Sequence, residues 1–551
     1  MTRKLLLGLA LAAFALLFLR TAWVGDDAYI TLRTVDNFVN GHGLTWNVAE
    51  RVQAYTHPLW MFALTLIYLP THDAYLTALL ASFLASFLTF WLVARRDGFA
   101  ALGVLTLLLS KSFMDYSASG LENPLTHLLL VLFFIAFIEK QSSPFTLAFI
   151  ASLIALNRQD AILFVVPSLL FLLSSSLQGG YSRRPWHRPP GQVSNPLPNE
   201  EIASPPSFDY ATLRSGQRLA TLAPGASAGM TVRDLFLGFL PLLLWEAFSL
   251  FYYGFPFPNT YYAKLGAGIP KAELFAQGWV YFLDSLQRDP LTLTVIAAGI
   301  LFALWRGQTR ERLLALGSLL YLAYVLSIGG DFMSGRFLTA SLLISALLLV
   351  RSTREWNPKV KAAAIAVVAV LGLFATPPNF ILDLNQPRYT EHDLLTGIND
   401  ERAFYYPISG MMNYRPGKQI PFSNEGWVEH GYALRESGKA VVDEKNVGFI
   451  GYFAGPAVHI VDRYALADPL LARLPASSPE KWRIGHFERD VPAGYVQTLR
   501  TGVNQIQNPN LAKYYDALAL ITRGPLFSRA RLAAIWKMNT GQFNYLLESS
   551  Q

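Results

Sequence analysis

The chain has 551 residues, of which 52% are hydrophobic, 13% aromatic and only 15% charged. A soluble domain carries about a quarter charged residues, so the composition excludes an ordinary aqueous globule and makes lipid part of the solvent. The net charge of +7 does not require a nucleic acid, because basic residues are expected in the cytoplasmic loops of a membrane protein.

Apolar runs place candidate spans near residues 4–22, 74–94, 99–114, 124–138, 144–157, 161–177, 234–252, 291–305, 312–328, 337–350 and 361–376. The leucine-rich run after Arg3 and Lys4 reads as an uncleaved first span, since no small-residue cleavage site follows it. Residues 58–70 are apolar but short, and whether they cross decides the orientation of every later loop. If they do not cross, Arg95, Arg96, Lys140, Arg306, Arg351 and the arginines of the segment 178–233 all face the cytoplasm. The outer loops then carry about half as many basic residues, which is the arrangement the positive-inside rule favours. The segment 178–233, rich in Pro, Ser, Gly and Arg without periodicity, reads as a flexible insert.

Hydrophobicity thins after residue 376, and strand and helix patterns follow. The runs 447–453 (VGFIGYF) and 457–462 (AVHIVD) read as strands around a Gly-Pro turn, and 424–437 and 510–520 as helices. The expected fold is therefore an α-helical polytopic membrane domain over 1–376, of about eleven spans, with an extracytoplasmic α/β domain over 377–551. The absence of cysteine suits a bacterial protein whose outer part needs no disulfides.

With this topology the unusual polar clusters meet at the outer membrane surface, each at the end of a span. Asp26 and Asp27 follow the first span; adjacent carboxylates repel, so at least one needs a cation, a donor or a raised pKa. They suit a base for an acceptor hydroxyl or a ligand to a divalent metal, and equally an N-cap on a helix starting near Ala28. Glu122 in the SGLENP run at 119–124 reads as a cap or as a site residue. Arg158 and Asp160 pair with each other or hold and orient a phosphate. Lys264, after the FPFPNT run containing Asn259, is a phosphate ligand or a snorkelling lysine. Asp331 and Arg336 flank a glycine-rich turn open to a ligand or to their own salt bridge. His57 and His42 lack metal-site spacing, and no phosphate-cradling Gly-Lys-Ser/Thr loop is present, so no nucleotide cofactor is expected. Glu246 lies inside an apolar run and is an intramembrane acid.

These motifs together resemble the mycobacterial-type terminal β-(1→2)-arabinofuranosyltransferases. The resemblance is carried by DDAYI at 26–30, NGHGLTWN at 40–47, YTHPLW at 55–60, SGLENP, FPFPNT, GDFMSGR at 330–336, Asp462 and DPLLARLP at 468–475. It implies a GT-C architecture in a bacterial cytoplasmic membrane, a polyprenyl-phosphate sugar donor and an extracytoplasmic glycan acceptor. It places Asp26 and Asp27 at the catalytic centre; Arg158, Lys264 and Arg336 are read, from their own positions, as ligands of the donor phosphate. Glu122, Asp160, Asn259, Asp331 and His57 then orient substrate. A divalent metal on Asp26 or Asp27 stays open. The competing reading, a transporter of lipid-linked glycans, asks for inverted repeats and mid-membrane charges, and the sequence offers only Glu246.

Overall fold

The structure, a computed structural model, describes residues 3–96, 100–181, 230–353, 356–379, 390–413, 426–478 and 482–548. Of the insert expected at 178–233, residues 182–229 lie outside the described ones. Each apolar run of the sequence is helical, beginning with α1 (Arg3–Thr21), α2 (Asp26–Val39), α3 (Pro58–Thr71) and α4 (Ala74–Ala94). Among the described residues, α1 and α4 are each long and apolar enough to cross a membrane. Two bent pairs also pass when taken together: Val232–Gly238 with Leu240–Tyr252, and Lys271–Arg288 with Pro290–Arg306. Leu5, Leu9 and Leu16 of α1, Leu84 of α4 and Leu244 are all exposed. Leucine turned outward on many helices at once is the surface of a protein bathed in lipid.

Two amphipathic helices do not follow the apolar runs. One is α2, with Asp26 and Asp27 in its first turn. The other, Lys271–Arg288, was not expected from the sequence; it meets Pro290–Arg306 at 110°, where Asp289 accepts from the Thr292 N–H and Pro290 opens the next helix.

The chain beyond residue 390 contains two short parallel strands, β1 (Val441–Glu444) and β2 (His459–Asp462), with Val441 opposite His459. The helices expected near 424–437 and 510–520 are present as Gly426–Glu436 and Pro509–Arg523. The strand expected at 447–453 is instead the helix Phe449–Ala454. Its period-two pattern is overridden by tertiary contact, because the Asp26 carboxylate accepts from the Gly448 and Phe449 N–H groups and starts a helix there.

This C-terminal chain packs into the same core as the first helices. Trp23 stacks on Tyr405 at 5.8 Å, and Tyr29 packs against Phe449 at 4.7 Å. Three buried arginines pin the two parts together through main-chain carbonyls. Arg33 of α2 donates to the carbonyls of Trp46, Gly451 (2.7 Å) and Val458 (2.8 Å), with its guanidinium over the Trp46 ring. Arg489 donates to Leu474, Phe487 and Ala263, and Arg531 to Ile521, Phe251 and Tyr252. A buried cation without a carboxylate is costly unless such carbonyls satisfy its fork, so removing any one acceptor strand exposes both partners.

Candidate active site

The first turn of α2 sets the site. Gly25 is its N-cap and contributes no side-chain bond, while its N–H donates to the Ser119 carbonyl at 3.3 Å. The aspartates are therefore first-turn residues, where the helix dipole favours negative charge, rather than caps of their own helix. Their fates differ. Asp26 is buried, and its two oxygens accept from Gly448 N–H (3.1 Å) and Phe449 N–H (2.6 Å). Burial pushes its pKa up to about 7, against the pull of the Phe449 amide. A Cβ at Gly448 would stand 1.9 Å from the Asp26 carbonyl oxygen, so glycine is required for this contact.

Asp27 is half-buried and has no hydrogen-bond partner among the described residues. Burial raises its pKa to about 6; Arg336 and Lys264 oppose the rise, and Asp331 and Glu122 add to it. Those four charged groups stand around it. Glu122 is buried just after Gly120, which sits at a positive φ and where a Cβ would stand 3.0 Å from the Cβ of Ala28. One Glu122 oxygen meets Arg158 at 3.3 Å and the other His57 Nδ1 at 3.5 Å. Burial would raise the Glu122 pKa, but His57, Arg158 and Arg336 outweigh it and hold the carboxyl at about 2. His57 in turn meets the Thr31 hydroxyl of α2 at 2.8 Å, and burial lowers its pKa. Arg158 grips Asp160 through two bonds of 2.8 and 2.9 Å. The result is a continuous polar chain from α2 through His57, Glu122 and Arg158 to Asp160.

On the other side Arg336 donates to Asp331 at 2.5 Å, and Asp331 also accepts from the Phe332 N–H at 3.0 Å. The turn that holds them needs Gly335 at positive φ, since a Cβ there would fall 2.1 Å from the Ser112 hydroxyl. Arg158 and Arg336 lie 4.3 and 4.9 Å from the Phe337 ring centre, which keeps both cations at one place. Lys264 ends the short helix Asn259–Leu265 and is exposed, with no acid paired to it among the described residues. The surrounding protein lowers its pKa by desolvation, with Asp331 opposing the shift.

Of the residues singled out by sequence, Asp27, Glu122, His57, Asp331, Arg336 and Lys264 are thus brought together, with Arg158 and Asp160 behind Glu122. Asn259 has a different position. Its amide donates to the carbonyls of Ala465, Leu466 and Asp468 and its oxygen accepts from Arg473, so its side chain is taken up in seating the C-terminal chain. Glu246 accepts a hydrogen bond from the Gln159 amide at 3.4 Å.

Sequence reasoning missed Glu401. The segment after Gly397 pairs with the GDFMSGR turn: Asn399 N–H donates to Phe332 O at 2.7 Å, and Ser334 N–H to Asn399 O at 2.9 Å. That pairing brings Glu401, buried and held by Asn399 at 3.3 Å, beside Asp27 and Asp331. Burial, then Asp27, pushes its pKa up to about 8. Arg483 donates to the Gly397 carbonyl at 3.2 Å and acts on the same carboxyl. A signal existed: Asp400-Glu401 repeats the adjacent-acid pattern of Asp26-Asp27. It also repeats the division of roles, because Asp400 pairs with Lys111 at 3.0 Å and caps Ala403 N–H while Glu401 turns toward Asp27. Among the described residues no three His, Asp or Glu side chains converge as a metal site.

No family model matches the chain, and neither does a solved structure. Two curated proteins are similar. The terminal β-(1→2)-arabinofuranosyltransferase of Corynebacterium glutamicum is 26% identical over 533 residues, covering 84% of this chain and 72% of that protein. The protein of the same name from Mycobacterium tuberculosis is 24% identical over 592 residues, covering 88% of this chain and 84% of its own length. This chain is a relative of that family. Coverage of 84% exceeds what residues 1–376 of 551 alone supply, about 68%, so the kinship extends into the chain that carries Glu401 and Gly448.

Proposed function

We propose that the chain is a membrane glycosyltransferase of the arabinofuranosyl class, taking its sugar from a polyprenyl phosphate and passing it to a glycan outside a bacterial cytoplasmic membrane. The observation that carries this reading is Asp27: a half-buried carboxylate without a partner, at a helix N-terminus, facing Lys264 and Arg336. In the proposed reaction the acceptor hydroxyl gives its proton to Asp27 as its oxygen bonds to the anomeric carbon. The bond from that carbon to the phosphate oxygen breaks, and polyprenyl phosphate leaves with the electron pair. Lys264 and Arg336 meet the phosphate charge. Asp26 keeps α2 seated on the Phe449–Ala454 helix. Glu401, protonated at neutral pH, offers a hydrogen-bond donor beside Asp27.

The topology that supports this reading keeps α3 from crossing. Fourteen helical residues span about 21 Å, short of the ~30 Å hydrocarbon layer, and α3 starts at His57 in the site itself. Single cysteines introduced at exposed His72 and Arg95 test it, since the chain has none; labelling from outside should reach the first and not the second.

The deciding assay offers purified protein a panel of polyprenyl-phosphate sugars, with and without chelator. Transfer from an arabinofuranosyl donor is expected, and transfer from no lipid-linked sugar would end the proposal. The transporter reading has no use for a base without a partner beside Lys264 and Arg336 at one membrane face.

A further inference from the structure

A recess lies behind α2. Its volume is about 510 Å³, within the usual range of a ligand site, and Tyr29, Asp36, Asp73, Tyr432, Arg435 and Tyr452 are among its lining residues. With about 100° per helical residue, Tyr29 and Asp36 lie about 180–200° around α2 from Asp27. One helix therefore separates the two groups: Asp27 faces the cations, and the opposite side faces this aromatic hollow. The hollow is built jointly by the ends of α3 and α4 and by the helices Gly426–Glu436 and Phe449–Ala454.

Its walls join stacked rings to unused polar groups. Tyr432 packs on Phe453 at 5.2 Å, and Tyr29 meets Tyr452 edge-on at 5.2 Å. One Asp36 oxygen accepts from the Tyr68 hydroxyl at 2.7 Å and from Asn40 at 2.9 Å, and its other oxygen has no partner among the described residues. One Asp73 oxygen caps α4 through Leu76 N–H at 2.9 Å, leaving its second oxygen likewise unused. Arg435 is exposed, and its guanidinium has no hydrogen-bond partner among the described residues. Carboxylate acceptors and a forked donor converge around tyrosine rings, while the two acids and one arginine leave little net charge. That combination does not recruit a phosphate. It fits a neutral polyol, with hydroxyls between the carboxylates and guanidinium and C–H faces on the rings.

We infer that this hollow is a glycan-binding subsite separate from the transfer centre, holding a neutral stretch of the acceptor away from its reacting end. The inference rests on the proposed glycosyltransferase reading for the word acceptor alone; binding itself does not depend on it. The test is equilibrium binding of an arabinofuranosyl tetrasaccharide and of maltotetraose to the full chain in lipid nanodiscs, followed by saturation-transfer NMR or calorimetry. At least one should bind, and Arg435→Ala should weaken it about tenfold through loss of a charged hydrogen bond. Tyr432→Phe keeps the ring and should stay within about threefold of wild type, while Tyr432→Ala should match Arg435→Ala. Asp27→Asn should leave binding intact while stopping transfer. Absence of binding by both sugars overturns the inference, and so does binding that is lost with Asp27→Asn and indifferent to Arg435→Ala. Binding without transfer from any lipid-linked donor would instead overturn the proposed reaction and keep the subsite.

Discussion

Beneath the C-terminal chain, each charge has its opposite. Lys111 bridges Asp115 and Asp400 at 2.5 and 3.0 Å, Arg402 meets Asp115 at 2.7 Å, and Arg288 joins Asp284 to Asp393. Around the start of α2 the same residue types are left short: Asp27 and Lys264 lack partners among the described residues, and Arg483 holds only a carbonyl. Both clusters are protein-walled. The difference is that paired charges fix one geometry, while unpaired ones retain interaction energy for a ligand. The first cluster holds its surroundings in one geometry; the second is the proposed site.

The contrast breaks most sharply at Asp27. Asp27→Asn should lower turnover about a thousandfold with little change in melting temperature, whereas Asp26→Asn should lower both, because it loses an acceptor for the Phe449–Ala454 helix. Equal stability loss in the two variants would erase the distinction. Arg402→Ala leaves Asp115 with Lys111 as its remaining cation and should cost about 1–3 kcal/mol of stability, seen as earlier thermal unfolding. Lys264→Ala should spare the fold and raise the donor KM about tenfold, read from steady-state kinetics with varied donor.

The smallest effect is one of pH. Asp27 must be ionised to accept a proton, so with its pKa near 6, kcat/KM should climb as pH rises through about 6. Glu401 donates only while protonated, so the profile should fall again above about 8. Glu401→Gln should remove the upper limb and leave the lower one. A profile flat from 5 to 9 would detach both carboxyls from the reaction.

The helices were legible because long apolar runs leave few alternatives, and Asp27, Glu122 and Arg336 were legible because charge at the end of an apolar run is rare. The strand expected at 447–453 became a helix for a reason no local window contains: its cap is Asp26. Glu401 escaped for the same reason, since its place follows from a pairing with residues 332–334. The bonding of Asn259 was not legible either, because its amide serves carbonyls of a distant loop. Periodicity reports what a segment buries, and says little of what reaches it from elsewhere in the chain.

The bond from Gly448 to Asp26 closes a loop of 422 residues. A ribosome adding roughly 5–20 residues each second needs on the order of 20–80 s to cover that interval. Throughout that time α2 is already at the membrane while Asp26 and Arg33 lack the chain that will satisfy them. The turn that carries Asp27 gains its partners from residues 448 and 449 only as synthesis nears its end, so a chain stalled midway carries that acid without the packing that positions it.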